Sequence, residues 1–155
     1  GLGDRTAFDA AIVTRHADVS THLIGVETKY TESFSPTEYQ SDEYTRVHDA
    51  SGWFDAGTAD ALVGKATNQL WRNCLLAAAA ELAGEYTTAS VAVIALADDR
   101  GADAALGGVT AAMTDAGRCR SVPLERVVEV SRQMPALERW ASEFELRYLD
   151  LAPIT

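Results

Sequence analysis

Two apolar runs open the chain, residues 7–15 (AFDAAIVTR) and 22–30 (HLIGVETKY), with the short polar link HADVS between them. Runs of this length, rich in β-branched residues and bounded by turn formers, predict strands. A link this short predicts a hairpin. Both runs are apolar on both faces near their middles, the pattern of strands in a sheet covered on two sides. Residues 31–57 then lose all periodicity in a polar and aromatic stretch, and a stretch of that length is expected to be a functional loop or disordered. Residues 58–84 predict one long helix. Thr58 is placed as its N-cap, Leu62, Ala66, Leu70 and Cys74 recur at helical spacing, and Gly84 stands near its end.

The second half alternates. Residues 89–97 (ASVAVIALA) read as a fully buried strand, 98–117 as a loop and a helix stopped by Gly117, and 119–124 as a short strand. Two helical segments follow, one from Leu124 and one from Pro135, a residue suited to a helix start. The order is strand, strand, loop, helix, strand, helix, strand, helix, helix. A hairpin followed by helix-linked strands predicts an α/β fold with a mixed central β-sheet flanked by helices on both faces, as a single domain over 1–155.

Composition narrows the class. A chain of 155 residues with 47% hydrophobic and 23% charged positions is long enough for a real core. No apolar run approaches the roughly 20 residues that span a bilayer, and the start, GLGDRT, has no apolar signal region. The chain begins without an initiator Met, so further elements upstream of Gly1 are expected. Cys74 and Cys119 lack CxxC spacing and nearby histidines, which predicts reduced core thiols in a cytoplasmic protein. A net charge of −10 excludes a generic nucleic-acid coat, since phosphate contacts need local positive charge. It leaves room for an enzyme whose carboxylates bind metal.

Only two lysines occur, Lys29 and Lys65, against eleven arginines, and Lys29 lies inside a strand run. Residues two apart on a strand share a face, so Glu27 and Lys29 project together. In a hairpin with a short link, the start of the first strand lies beside the end of the second, which brings Asp9 near them. Two carboxylates close together repel unless a cation sits between them, and Mg²⁺ prefers oxygen ligands while keeping several waters. Such an ion polarises a phosphate oxygen and acidifies a bound water. A neighbouring lysine stabilises the charge that develops.

An Asp near the start of one strand (AFDAAI) and Glu-x-Lys on the next (VETKY) resembles the PD-(D/E)XK nuclease superfamily, in its restriction-endonuclease-like branch. The resemblance is clearest over residues 5–34 and extends loosely, through element order, to about residue 125. It implies a Mg²⁺-dependent DNA endonuclease, with Mn²⁺ able to substitute. Asp9 and Glu27 are implied as metal ligands, Lys29 as the catalytic lysine and the main-chain carbonyl of Thr28 as a further ligand. It also implies supporting roles for Gln69 and Arg72, which share a face of the long helix at i, i+3. Phe8 stands where members usually carry Pro. Members also generally begin with a helix and a strand before the Asp-bearing strand, elements that would lie upstream here. Nucleases that cut both strands are often dimers, so a second copy is an expected partner beside DNA; a membrane is not.

Other readings stay open from sequence. Glu27 and Lys29 could form an exposed ion pair, although Ile24 and Val26 make the strand a poor edge. Glu32 reads as a solvated loop acid and His16, His22 and His48 as surface or hairpin residues. Tyr30, Tyr39, Tyr44, Arg46 and Trp53 are placed either against DNA or in loop packing. The fold could also serve as a catalytically inactive module binding nucleic acid or protein, or be an unrelated α/β fold carrying the motif by chance.

Overall fold

A computed structural model describes residues 2–3, 6–30 and 32–150. Four strands form one sheet in the order β1-β2-β3-β4. β1 (Ala10–Arg15) and β2 (Thr21–Thr28) are the antiparallel hairpin, and β3 (Thr88–Ala95) and β4 (Cys119–Pro123) continue the sheet in parallel with β2. The hairpin closes on residues 16–20, where the Asp18 carboxylate accepts from the Ser20 amide (3.0 Å) and hydroxyl (2.6 Å). The mixed sheet matches the sequence expectation.

One sequence inference about the sheet fails. β1 is exposed along its whole length, and Ile12 and Val13 are each half-exposed. Two-sided cover belongs to β2 and β3. Apolar residues alone could not distinguish these cases, because β1 is the edge strand and has a neighbour on only one side.

Helices α1 (Asp42–Ala50), α2 (Ala59–Leu62) and α3 (Asn68–Leu82) lie between β2 and β3. The expected helix over 58–84 is therefore two. Side chains divide it: the Thr67 hydroxyl donates to the Leu62 carbonyl (3.0 Å), and the Asn68 amide donates to the carbonyls of Val63 (3.0 Å) and Tyr39 (2.9 Å). Such side chains offer the backbone partners that compete with the helical ladder. At the far end the expectation holds. Gly84 takes φ +72°, its amide donates to Glu81, and the Glu85 amide donates to Ala80, which is a Schellman stop.

Residues 32–57 are not structureless, and residue 31 lies outside the described residues. Ser41 caps α1 by accepting from the Tyr44 amide (3.3 Å), and Asp42 and Glu43 favour the positive end of its dipole. Beyond α1, Asp55 and Thr114 donate backbone bonds to Ala112 and Trp53, so the segment is pinned to the chain that follows α4 (Arg100–Thr110). Asp99 caps α4 by accepting from the amides of Gly101 (2.8 Å) and Ala102 (2.9 Å). α4 ends well before Gly117. Helices α5 (Leu124–Arg132) and α6 (Glu138–Tyr148) form a terminal pair, and Pro135 sits in the turn before α6, not at its first residue.

The core lies between α3 and the sheet. Val91, Val93 and Ala95 of β3 alternate toward it. Leu70, Trp71, Cys74, Leu75, Ala77 and Ala78 answer from α3, where the alanines let helix and sheet approach closely. Burying each large apolar side chain is worth about 1.5–3 kcal/mol, so this layer fixes α3 over the end of β2. Cys74 and Cys119 are free and buried, as expected. Their hydrogen-bonded contact, then burial, push the Cys74 thiol up. His48 departs from its expected surface role. It is buried, stacked on Phe54 at 4.5 Å between ring centres, and its Nδ1 accepts from Trp71 Nε1 (3.2 Å).

Candidate active site

β2 carries Glu27 into the interior at its C-terminal end. Glu27 is 2% exposed and Lys29, one residue past the strand, is 7% exposed. Those values rule out a solvated surface pair. A buried carboxylate needs partners, and Glu27 has three. Its Oε1 forms an ion pair with Lys29 Nζ (2.7 Å) and accepts from Gln69 Nε2 (2.6 Å), and its Oε2 accepts from Asn73 Nδ2 (2.7 Å). Gln69 and Asn73 stand at i, i+4 on α3, one above the other on the face turned to β2. The Lys29 ammonium also lies 4.9 Å over the ring of Phe34.

Asp9 reaches the same strand end by a different route. The ladder pairs Ala10 with Val26, and the Asp9 amide also donates to the Val26 carbonyl (3.0 Å). Two residues of the first strand thus face one of the second, the arrangement of a bulge, which re-aims a side chain. The Asp9 carboxylate turns to Thr28, and its Oδ2 accepts from the Thr28 amide (2.7 Å) and hydroxyl (2.9 Å). Phe8 packs its ring directly over Gly25, where any Cβ would collide with it, and this fixes the chain entering the bulge. Asp9 itself is exposed.

The structure therefore joins Glu27, Lys29 and Gln69 in one cluster and Asp9 with Thr28 in another beside it. Arg72 joins neither. Its Nε donates to the Tyr44 hydroxyl (3.1 Å), an Nη donates to the Thr6 hydroxyl, and its guanidinium lies 4.3 Å from the Tyr39 ring centre. It shares with Gln69, Asn73, Ser35 and Tyr39 a cleft of about 530 Å³. Lys29 and Glu32 line a smaller cleft of about 250 Å³ with Tyr30, Phe34 and Asp99. Tyr44 and Trp53 are buried in packing, Arg46 pairs with Glu43 (2.7 Å), and the Tyr30 hydroxyl donates to the Tyr148 carbonyl (2.6 Å). His22 bonds Thr88 and Ser90 across β2 and β3, and His16 is an exposed hairpin residue. Asn73, close to Gln69 and Arg72 in the sequence, carries no role on sequence grounds, although its i+4 spacing from Gln69 already puts the two on one helix face.

A mixed sheet whose second strand leads into a buried Glu-x-Lys pair, with an Asp delivered from the neighbouring strand, is the arrangement that the sequence resemblance implies. A family model of the PD-(D/E)XK nuclease superfamily matches residues 1–150, and the chain belongs to that superfamily. No curated protein and no solved structure matches it. Members are generally nucleases that use divalent metal ions, so membership carries a nucleic-acid substrate with it. Among the described residues, no helix is long and apolar enough to cross a membrane.

The residues fit a hard divalent ion. Among the described residues no three His, Cys, Asp or Glu side chains gather into a cage. Asp9 and Glu27 bring two carboxylates to the strand end, oxygen donors that suit an ion that keeps most of its waters. Each carboxylate retains acceptor capacity. Oδ1 of Asp9 takes no donor among the described residues, and Oε2 of Glu27 takes one, where a carboxylate oxygen can accept two.

Proposed function

We propose that the protein is a metal-dependent DNA endonuclease of the restriction or defence type, hydrolysing phosphodiester bonds. The observation that carries this reading is the buried Glu27–Lys29 pair at the end of β2 with Asp9 turned onto Thr28 beside it. Asp9, Glu27 and the Thr28 carbonyl would hold Mg²⁺, or Mn²⁺ in its place. When bound, the ion supplies Lewis-acid polarisation of the phosphate and acidifies water.

The chain's own side chains set the rest. Lys29, Gln69 and Asn73 converge on Glu27 and fix its carboxylate at the end of β2. Lys29 borders the smaller cleft with its ammonium on Glu27, from where it can donate to a phosphoryl oxygen as charge grows there. Arg72, its guanidinium over Tyr39 in the larger cleft, brings positive charge toward a neighbouring phosphate. The free, buried thiols of Cys74 and Cys119 fit a reducing, cytoplasmic setting.

A second reading, an inactive module with the same fold, draws support from the crowding of Glu27 Oε1 by the Lys29 ion pair and the Gln69 amide. Plasmid cleavage separates the two. The nuclease reading expects nicking or linearisation with Mg²⁺ or Mn²⁺, none with EDTA, and none by Lys29→Ala. A folded wild-type protein that leaves the plasmid intact with either metal would favour the inactive module.

A further inference from the structure

We infer that Asn73 is the positioning residue that aims Glu27 at the metal through a single oxygen, Oε2. The inference rests on the nuclease reading above. A carboxylate oxygen offers two lone-pair sites. Gln69 donates to Oε1 at 2.6 Å, and the Lys29 ammonium forms its ion pair with the same oxygen at 2.7 Å. Asn73 occupies one site on Oε2 at 2.7 Å, and no other described residue donates to that oxygen. Oε2 is therefore the less crowded oxygen of Glu27, and Asn73 determines which way it turns.

Burial makes this control strong. Asn73 is 2% exposed and Glu27 is 2% exposed, so water does not readily replace the amide. Asn73 also sits in the middle of α3, among side chains fixed by the core: Cys74 and Leu75 beside it and Leu70 one turn earlier are all fully buried. Its amide thus transmits the rigidity of the core to the carboxylate. Gln69 is anchored differently. Its Oε1 accepts from the Ser35 amide (2.7 Å), so its hold on Oε1 is tied to the segment after β2. Asn73 is a fixed restraint and Gln69 is tied to a loop that lines the cleft. Partners that orient a metal ligand in this way typically govern metal affinity or activity by 10–100-fold.

The test uses Asn73→Ala and Asn73→Leu. The second removes the donor while keeping the branched outline of the side chain, and thermal unfolding of both variants separates loss of fold from loss of donor. Mn²⁺ binding is measured by the electron paramagnetic resonance signal of the free ion, and plasmid cleavage is split into kcat and KM, with thermal unfolding as a check on folding. The expected result is a folded variant whose Mn²⁺ affinity falls about 10–100-fold, with kcat reduced and KM for DNA unchanged. Folded Asn73→Leu with wild-type Mn²⁺ affinity and kcat would overturn the inference while leaving the nuclease reading intact. Wild-type protein that binds no Mn²⁺ and cuts nothing would overturn both.

Discussion

Glu27 and Asp9 are carboxylates at the same end of two neighbouring strands, and their surroundings are opposite. Glu27 lies under α3, which supplies two amide donors, and is ion-paired with Lys29 just past β2. Asp9 is exposed on the edge strand and is held by one residue of its neighbour. One is bound into the core; the other is bound to the chain alongside it. The comparison teaches that a two-carboxylate site can be half structural. Changes around Glu27 should damage fold and function together, while changes at Asp9 should damage function alone.

The largest expected effect is on the buried side. Lys29→Ala leaves the Glu27 charge buried with only two amide donors, and breaking a buried pair costs about 3–5 kcal/mol. Urea unfolding should register a loss of that order together with the loss of cleavage; a loss under about 1 kcal/mol, the value of an exposed pair, would erase the contrast. The second effect falls between the two carboxylates. Gly25→Ala forces a methyl group into the Phe8 ring, and overpacking of this kind costs about 1–3 kcal/mol. Because Phe8 leads directly into Asp9, cleavage should fall further than stability predicts. Thermal unfolding and activity of the same preparation check this.

Asp9→Ala should cost about 1 kcal/mol or less, the worth of exposed hydrogen bonds, while removing cleavage. A large loss of stability would show that Asp9 is as structural as Glu27. The smallest effect comes from pH and from another buried group. Burial holds His48 below its ordinary pKa, and a donated bond from Trp71 already occupies Nδ1, which protonation would need. The folded value is depressed, so the unfolded chain takes up the proton first as pH falls. The stabilisation is complete above about pH 6.5 and is lost as pH falls through the folded value. Unfolding measured across this range should show a slope of at most about 1.4 kcal/mol per pH unit, and His48→Gln should flatten it.

Much of this contrast was legible in the sequence, though unevenly. The Glu27 and Lys29 pair shares one face of β2 because side chains alternate along a strand, and Gly84 stops α3 because only a residue free to take positive φ fits there. The exposure of β1 was not legible, since an edge strand and a central strand can carry the same apolar residues. α1 was hidden in a polar stretch, although Ser41 before Asp42 and Glu43, with Tyr44, Val47 and His48 at helical spacing, is its signature. The break at residues 63–67 depends on Thr67 and Asn68 finding backbone partners that only the folded chain provides. The bulge at Asp9 is likewise a matter of register, which residue types do not encode.

Whether Asp9 and Glu27 together serve a metal-dependent phosphodiesterase is tested by Asp9→Ala beside wild type in Mn²⁺-dependent plasmid cleavage, with unfolding followed on the same samples. Wild-type cleavage should be abolished by EDTA, and the Asp9→Ala protein should be stable and inactive. Metal-dependent cleavage at wild-type rate by folded Asp9→Ala would contradict it.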